Sequence, residues 1–231
     1  MSEYTDRTYA EELRNVRERL LRMAGRVDTM IEQSMKALVT RDAELAKATI
    51  ICDRDVNQDE IDLDALCLDL LARRQPMASD LRFIILTMKM VTDLERIADL
   101  AVNICERAID LAKKESLGPY QNIPRMAELV RRMIHDAIDS FVDQDVEKAR
   151  AIIELDDEVD ELYHRVFRAL LDVMRDDTSV VHRGIKLQSV AKYLERIGDH
   201  ATNLSEQIIH MIEGTDVRHE GKLHDSDDTE L

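Results

Sequence analysis

Glu95, Asp99, Asn103 and Glu106 stand four, four and three residues apart in one apolar-rich stretch. On a helix turning ~100° per residue, with Glu95 at zero, Asp99 falls near ~40°, Asn103 near ~80° and Glu106 near ~20°. Four oxygen-bearing side chains therefore share one narrow stripe. Leu94, Ala98, Ala101, Val102 and Cys105 lie on the adjacent face, which is expected to be core. Glu195, Asp199, Asn203 and Glu206 repeat the layout beside Leu194, Gly198, Ala201 and Ser205. Like charges at i and i+4 cost a helix ~0.2–0.5 kcal/mol. Both stripes bear that cost, and a cation is the simplest compensation. Carboxylate and amide oxygens suit hard ions such as Mg²⁺, Mn²⁺, Ca²⁺ or oxidised iron.

A second set of acids matches the stripes. Asp156 and Asp160 are spaced i, i+4, and the earlier counterparts are Asp53 and Asn57, with Glu60 a further turn along. Two neighbouring helices, each giving two such groups, would form a multidentate oxygen site. The competing reading is a solvated charged face, with Arg96 or Arg196 bridging its own Asp99 or Asp199. Asp55 and Asp59 fit the same spacing but fall on roughly the opposite helix face, out of register with the second set.

Other chemistry finds little support. Glu161-x-x-His164 is a single E-x-x-H, whereas a ferritin-like di-metal centre needs two plus two further Glu. No H-E-x-x-H, G-x-S-x-G, P-loop or G-x-G-x-x-G occurs. Met23, Met30, Met88 and Met133 read as core filler.

The elements that must position the acids are helices. In 231 residues there are 6 Gly, 3 Pro and no Trp, and only 3% is aromatic. A β-rich chain of this length would spend far more of these on turns and sheet faces. Apolar residues recur at steps of three and four from about Tyr9 to Val39. Asp42 is placed to cap a second helix running to about Leu71, and Pro76 breaks it. Ser79 is placed to cap a third, running to about Lys114. Gly118, Pro119 and Pro124 mark a linker over residues 118–124. The pattern restarts with a fourth helix over roughly Arg125 to Val142, a fifth capped by Asp145 and running to about Met174, and a sixth from about Val181 to Ile212, stopped by Gly214. Residues 215–231 carry little apolar material and read as an acidic, mobile tail.

The restart is an internal repeat. LERIADLAVNICE begins at Leu94 and LERIGDHATNLSE at Leu194; eight of the 13 positions are identical at an offset of 100. TRDAELAKATIICD from Thr40 aligns with DQDVEKARAIIELD from Asp143 at an offset of 103. The reading is all-α, with two tandem, duplicated three-helix bundles over residues 1–117 and 125–214.

Charge and cysteine use bound the partners. Lys and Arg total 32 against 48 Asp and Glu, a net charge of −16. Such a surface disfavours nucleic acid and anionic lipid. Cys52, Cys67 and Cys105 include no C-x-x-C, which suits a reducing cytosol with the thiols as small core residues. No apolar run is long enough to span a membrane, and the acidic start is unlike a signal peptide.

DLERIADLAVNICE and YLERIGDHATNLSE, in tandem, resemble the PhoU family of phosphate-signalling proteins. RRQPMASDLRF at 73–83 is similar to that family's Q-P-x-A-x-D-L-R signature, and GTDVRH at 214–219 to its usual ending. The resemblance covers about residues 8 to 220. It implies two tandem three-helix bundles and a cytoplasmic, non-enzymatic accessory protein of the phosphate ABC transporter. Such a protein would link the transporter ATPase to a sensor histidine kinase, restrain phosphate-starvation signalling and act as a homodimer. It also implies metal held by E(D)-x-x-x-D motifs, as iron or zinc clusters or as Mg²⁺ or Mn²⁺. On this chain the motif falls on Glu95 with Asp99, Glu195 with Asp199, and Asp156 with Asp160. Asp53 with Asn57 departs from it by one amide, and Glu60 is the compensating acid. Asn103 and Asn203 are further candidate ligands. The rival readings are a di-metal carboxylate enzyme and a metal-free helical adapter.

Overall fold

The computed structural model describes residues 2–117 and 122–214, with side chains in the first helix from Arg7 onward. Six long helices occur and, among the described residues, no strand: α1 (Ser2–Thr40), α2 (Ala43–Arg74), α3 (Ala78–Ala112), α4 (Asn122–Asp143), α5 (Val146–Asp176) and α6 (Val181–Glu213). A short 3-10 turn, Thr178–Val180, leads into α6. Most of the expected linker (118–121) and the expected tail (215–231), with all but the first residue of GTDVRH, lie outside the described residues.

α1, α2 and α3 pack on one another, as do α4, α5 and α6; α3 against α6 and α1 against α4 join the two trios. The central helices are therefore buried on two sides. α3 buries Leu94, Ile97, Ala98, Ala101 and Ile104, and α6 buries Leu194, Ile197, Ala201, Leu204 and Ile208, all fully. Met23, Met30 and Met133 are core as expected, and Met88 packs against the core from its edge. Cys67 and Cys105 are buried, but Cys52 is exposed, so the core assignment fails for that thiol. Cys52 lines an open groove between α1 and α2, beside Gly25, Thr29 and Met30, and that groove exposes it.

The turns into α2 and α5 are copies of each other. Asp42 accepts from the backbone N–H groups of Glu44 and Leu45, and Asp145 from that of Lys148, as their capping roles predict. Arg41 and Gln144 both take left-handed backbone conformations, at φ 58° and 56°. Arg41 also donates to the carbonyls of Leu111 (3.1 Å) and Ala112 (3.2 Å), closing the C-terminus of α3.

Two expected boundaries move. The residue capping α3 is Met77, extended at φ −87°, and it makes no side-chain cap bond. Ser79 lies inside the first turn, because the carbonyl of Met77 already accepts from Asp80 (2.8 Å) and Leu81 (3.1 Å). α4 starts at Asn122 instead of Arg125, with Pro124 in its first turn. A proline is tolerated there, since that N–H has no partner within the helix in any case. No described helix is long and apolar enough to cross a membrane.

Candidate metal-binding faces

The first face forms where α2 packs on α3. Asn57 Nδ2 donates to Asp53 Oδ2 at 2.9 Å, one turn along α2. Asp53 Oδ1 and Asn57 Oδ1 are then buried with no hydrogen-bond partner. Burial holds the Asp53 carboxyl above the ordinary carboxylate range; the charge of Asp99 on α3 adds to this, and the Asn57 bond opposes it. Glu95, with a side chain only 16% exposed, is raised by burial and then by Asp99, with Arg96 opposing and Glu60 and Asp53 adding. Glu60 is raised by burial and by Asp64, opposed by Arg96, and raised again by Asp99. Asp53, Asn57, Glu60, Glu95 and Asp99 are thus brought together as expected.

The second face repeats this between α5 and α6. Asp156 is pushed up to about 7, first by burial and then by the charges of Asp199, Asp160, Glu195 and Asp157. Its Oδ1 lies over Gly198, whose missing Cβ would sit 3.1 Å away. The absent side chain lets the Asp156 carboxylate rest almost on the α6 backbone. Glu195 is 13% exposed; Lys192 holds its Oε1, while Oε2 is buried without a partner. Asp160 and Asp199 form the solvent-facing edge. The two faces lie on the same side of their respective bundles, at the equivalent helix pair.

The solvated-face reading holds for part of each stripe. Arg96 reaches Asp99 Oδ2 at 3.5 Å and Glu95 Oε2 at 3.4 Å. Glu106 pairs with Arg107 at 3.2 Å. Asn103 is half-buried and Asn203 exposed. Asp59 is drawn away to α1, where Arg26 binds it at 2.7 Å, in keeping with its opposite-face placement. The Glu161-x-x-His164 pair is an exposed helix face, with Glu161 bound to Arg165.

Three residues escaped the sequence reading. Asp64 continues the α2 row one turn beyond Glu60, and its Oδ1 is buried and unpartnered. Lys192 and Tyr163 close one end of the second face: the ammonium stands 5.5 Å from the ring centroid. The spacing Glu60-x-x-x-Asp64 was a legible signal for the first; nothing in spacing alone joins Lys192 on α6 to Tyr163 on α5.

The donor set fits a hard cation. It consists of carboxylate and amide oxygens, and three of them, Asp53 Oδ1, Asn57 Oδ1 and Glu195 Oε2, are buried without a donor. Leaving a buried acceptor unmet costs ~1–3 kcal/mol, which a cation would relieve. Among the described residues, His135, Asp136 and Asp139 on α4 form the one trio whose ligand atoms all lie within 4.8 Å of one another. There Arg132 (3.4 Å to Asp136) and Lys148 (3.7 Å to Asp139) already supply the positive charge.

The sequence pattern of the PhoU domain matches the chain twice, over residues 20–108 and 123–208. The phosphate-specific transport system accessory protein PhoU homolog of Pseudomonas putida is 39% identical over 222 residues, covering 96% of this chain and 87% of its own length. That of Aquifex aeolicus is 41% identical over 210 residues, covering 91% and 95%. The crystal structure of PhoU from Pseudomonas aeruginosa superposes with a TM-score of 0.86 at 38% identity, covering 90% of this chain and all (100%) of that one.

Proposed function

The chain belongs to the PhoU family, and from that premise we propose that it is a non-catalytic, cytoplasmic regulator of phosphate transport and phosphate-starvation signalling. In this reading it couples the phosphate ABC transporter ATPase to a sensor histidine kinase as a negative regulator, works as a homodimer, and carries metal ions on its two acidic faces.

The observation that carries the metal part is the pair of equivalent faces, each with buried oxygens that no donor meets: Asp53 Oδ1 and Asn57 Oδ1 in one, Glu195 Oε2 in the other. A bound ion would neutralise each face and offer open positions to a partner's carboxylate or to an anion. The all-oxygen donors favour Mg²⁺, Mn²⁺ or oxidised iron over zinc, which prefers sulfur and imidazole nitrogen. Asp53, Asn57, Glu60, Glu95 and Asp99 would hold ions in the first repeat, and Asp156, Asp160, Glu195 and Asp199 in the second. The chain's own part is positional. Close packing of α2 on α3 and of α5 on α6 holds the acids at fixed spacing, and Gly198 sets the depth of Asp156. A regulator acts only through different affinity for its partner's two states. Two rigid acidic faces on one body provide surfaces able to discriminate between such states.

The test has two arms. Protein purified without chelator is assayed for bound metal and for a rise in melting temperature with added Mn²⁺. Binding to the transporter ATPase and the kinase is measured by pull-down, with light scattering for the dimer. Metal bound together with capture of either partner is the expected result. Absence of metal and of any thermal response removes the metal reading. Failure to bind either partner, with unchanged phosphate uptake in a deletion strain, removes the regulatory one.

A further inference from the structure

Away from the acidic faces, a cleft of about 410 Å³ opens where the two repeats meet. Arg14 and Arg17 of α1 line one wall, and Ser79, Asp80 and Phe83 of α3 the other. Gln144, in the turn between α4 and α5, borders it from the second repeat.

The charges in this cleft are arranged unlike those elsewhere on the chain. Other arginines sit against acids: Arg26 on Asp59, Arg74 on Glu12, Arg131 on Asp28. Arg14, Arg17 and Asp80 share one hollow, yet no described residue forms an ion pair with any of the three. Two guanidiniums and a carboxylate therefore face a common space without closing on each other. What fits between them is a group that accepts from the arginines and donates to the carboxylate.

Arg17 is held in place for this. Its guanidinium lies 5.5 Å from the centroid of the Phe83 ring, and that ring stacks on Phe141 with centroids 5.5 Å apart. Phe141 belongs to α4, so both repeats fix this arginine. Stacking covers one face of the planar guanidinium and leaves its N–H edge to donate. Arg14 lies one turn earlier on α1 and is exposed. The Ser79 hydroxyl and the Gln144 amide add neutral donors. Asp80 is half-buried and also faces Tyr9, whose hydroxyl is pushed up to about 12 by burial and then by this charge. A carboxylate accepts through both oxygens, so Tyr9 leaves one for the cleft.

We propose that this cleft binds inorganic phosphate, with Arg14 and Arg17 holding its oxygens and Asp80 accepting a hydrogen bond from its remaining proton. Hydrogen phosphate keeps that proton at neutral pH and sulfate has none, so Asp80 selects the first and repels the second. A phosphate seated there meets α1, α3 and the α4–α5 turn, and so ties the two repeats together. The site is separate from the acidic faces, and the inference does not rest on the metal reading.

The full chain, stripped of metal and dialysed, is titrated calorimetrically with potassium phosphate and with potassium sulfate at matched ionic strength. Melting temperatures in the two salts give a second readout. Phosphate is expected to bind about 10–100-fold more tightly than sulfate, the range set by a carboxylate left without a donor. Arg14→Gln and Arg17→Gln are each expected to weaken phosphate binding about tenfold. Because Arg14 is exposed, its variant tests the site even if Arg17→Gln loosens the Phe83 stack. Asp80→Asn replaces the acceptor with an amide that donates, and is expected to bind sulfate as well as phosphate, a gain that misfolding cannot produce. Arg22→Gln, on α1 but outside the cleft, is expected to change nothing. The proposal is overturned by a parent chain that binds no phosphate or binds both anions equally. It is equally overturned by arginine variants that bind as the parent does, or by Asp80→Asn still excluding sulfate. None of these results touches the metal or partner readings, which metal analysis and pull-down decide separately.

Discussion

Asp28 and Arg131 occupy the same position of the two repeats and bind each other. Arg131 lies 103 residues after Asp28, the offset that superposes the α1–α2 turn on the α4–α5 turn. Its Nε meets Asp28 Oδ1 at 2.8 Å and its Nη2 meets Oδ2 at 3.0 Å, with Glu32 Oε2 a further 3.1 Å contact. A position on the axis relating two copies of a unit must face itself, and an identical charge there would repel. The opposite charges of Asp28 and Arg131 turn that self-contact into a bidentate ion pair between α1 and α4.

Removing it has a defined consequence. Arg131→Ala is expected to cost about 1 kcal/mol, as befits a bidentate but partly solvated pair. Arg131→Asp is expected to cost more, because three acids would then meet. Urea melts of both, with the double mutant Asp28→Ala/Arg131→Ala, check this. Additive losses would show that the pair contributes no coupling.

Asp156 gives the metal-free protein a pH dependence, in the same direction as the raised carboxyls of Asp53, Glu60, Asp64 and Glu95. Its folded-state pKa of about 7 exceeds the ordinary value of 3.8, so the folded chain binds a proton that the unfolded chain has released between these limits. Its contribution to stability is whole below pH 3.8, declines as pH rises, and is lost above about 7. In chelator, the melting temperature is expected to fall between pH 5 and pH 7.5 in the parent and to fall less in Asp156→Asn. Equal slopes in the two proteins would contradict the assignment.

Asn57→Asp restores the acid that the first repeat lacks. Without metal it places a charge beside Asp53 and removes the 2.9 Å amide bond, so stability is expected to drop. With Mn²⁺ the order is expected to reverse, with affinity rising about tenfold, a typical scale for a changed coordination environment. Calorimetric titration reads the affinity and thermal melts read the sign; a variant destabilised in both conditions would speak against metal at this face.

Gly198 sets how closely α5 approaches α6. Valine there would bring branched methyl groups against Asp156 Oδ1 (3.1 Å from the Cβ) and Val159 Cγ1 (3.5 Å), and is expected to cost about 1–3 kcal/mol. Ala98 at the matching position of α3 is buried and accommodated, so Ala98→Gly should cost only its helix propensity and cavity terms, about 1 kcal/mol. Denaturant melts compare them; an undisturbed Gly198→Val protein would refute the tight packing at Asp156.

Much of this molecule was legible along the chain. The steps of three and four from Tyr9 onward and the caps Asp42 and Asp145 are local properties of a helix, as are the acids at i and i+4, so spacing alone revealed them. The repeat identified which segments had to be equivalent, and hence that Asp53 belongs with Glu95 as Asp156 belongs with Glu195. The misplaced starts of α3 and α4 have a common cause. Cap preference names Ser79, but a backbone carbonyl such as that of Met77 does the same work without a side chain, and a proline is compatible with a first turn as well as with a linker.

By itself, then, the sequence determined six helices in two copies and two rows of oxygen donors, because helical period and duplication are written in residue order. Only the tertiary structure decided which donors face inward, that Cys52 lies outside, that Lys192 settles on Tyr163, and that Asp28 meets Arg131. Those outcomes depend on how helices lie across one another. Packing brings together residues that no local spacing connects, and burial raises the cost of charge for only some members of each row.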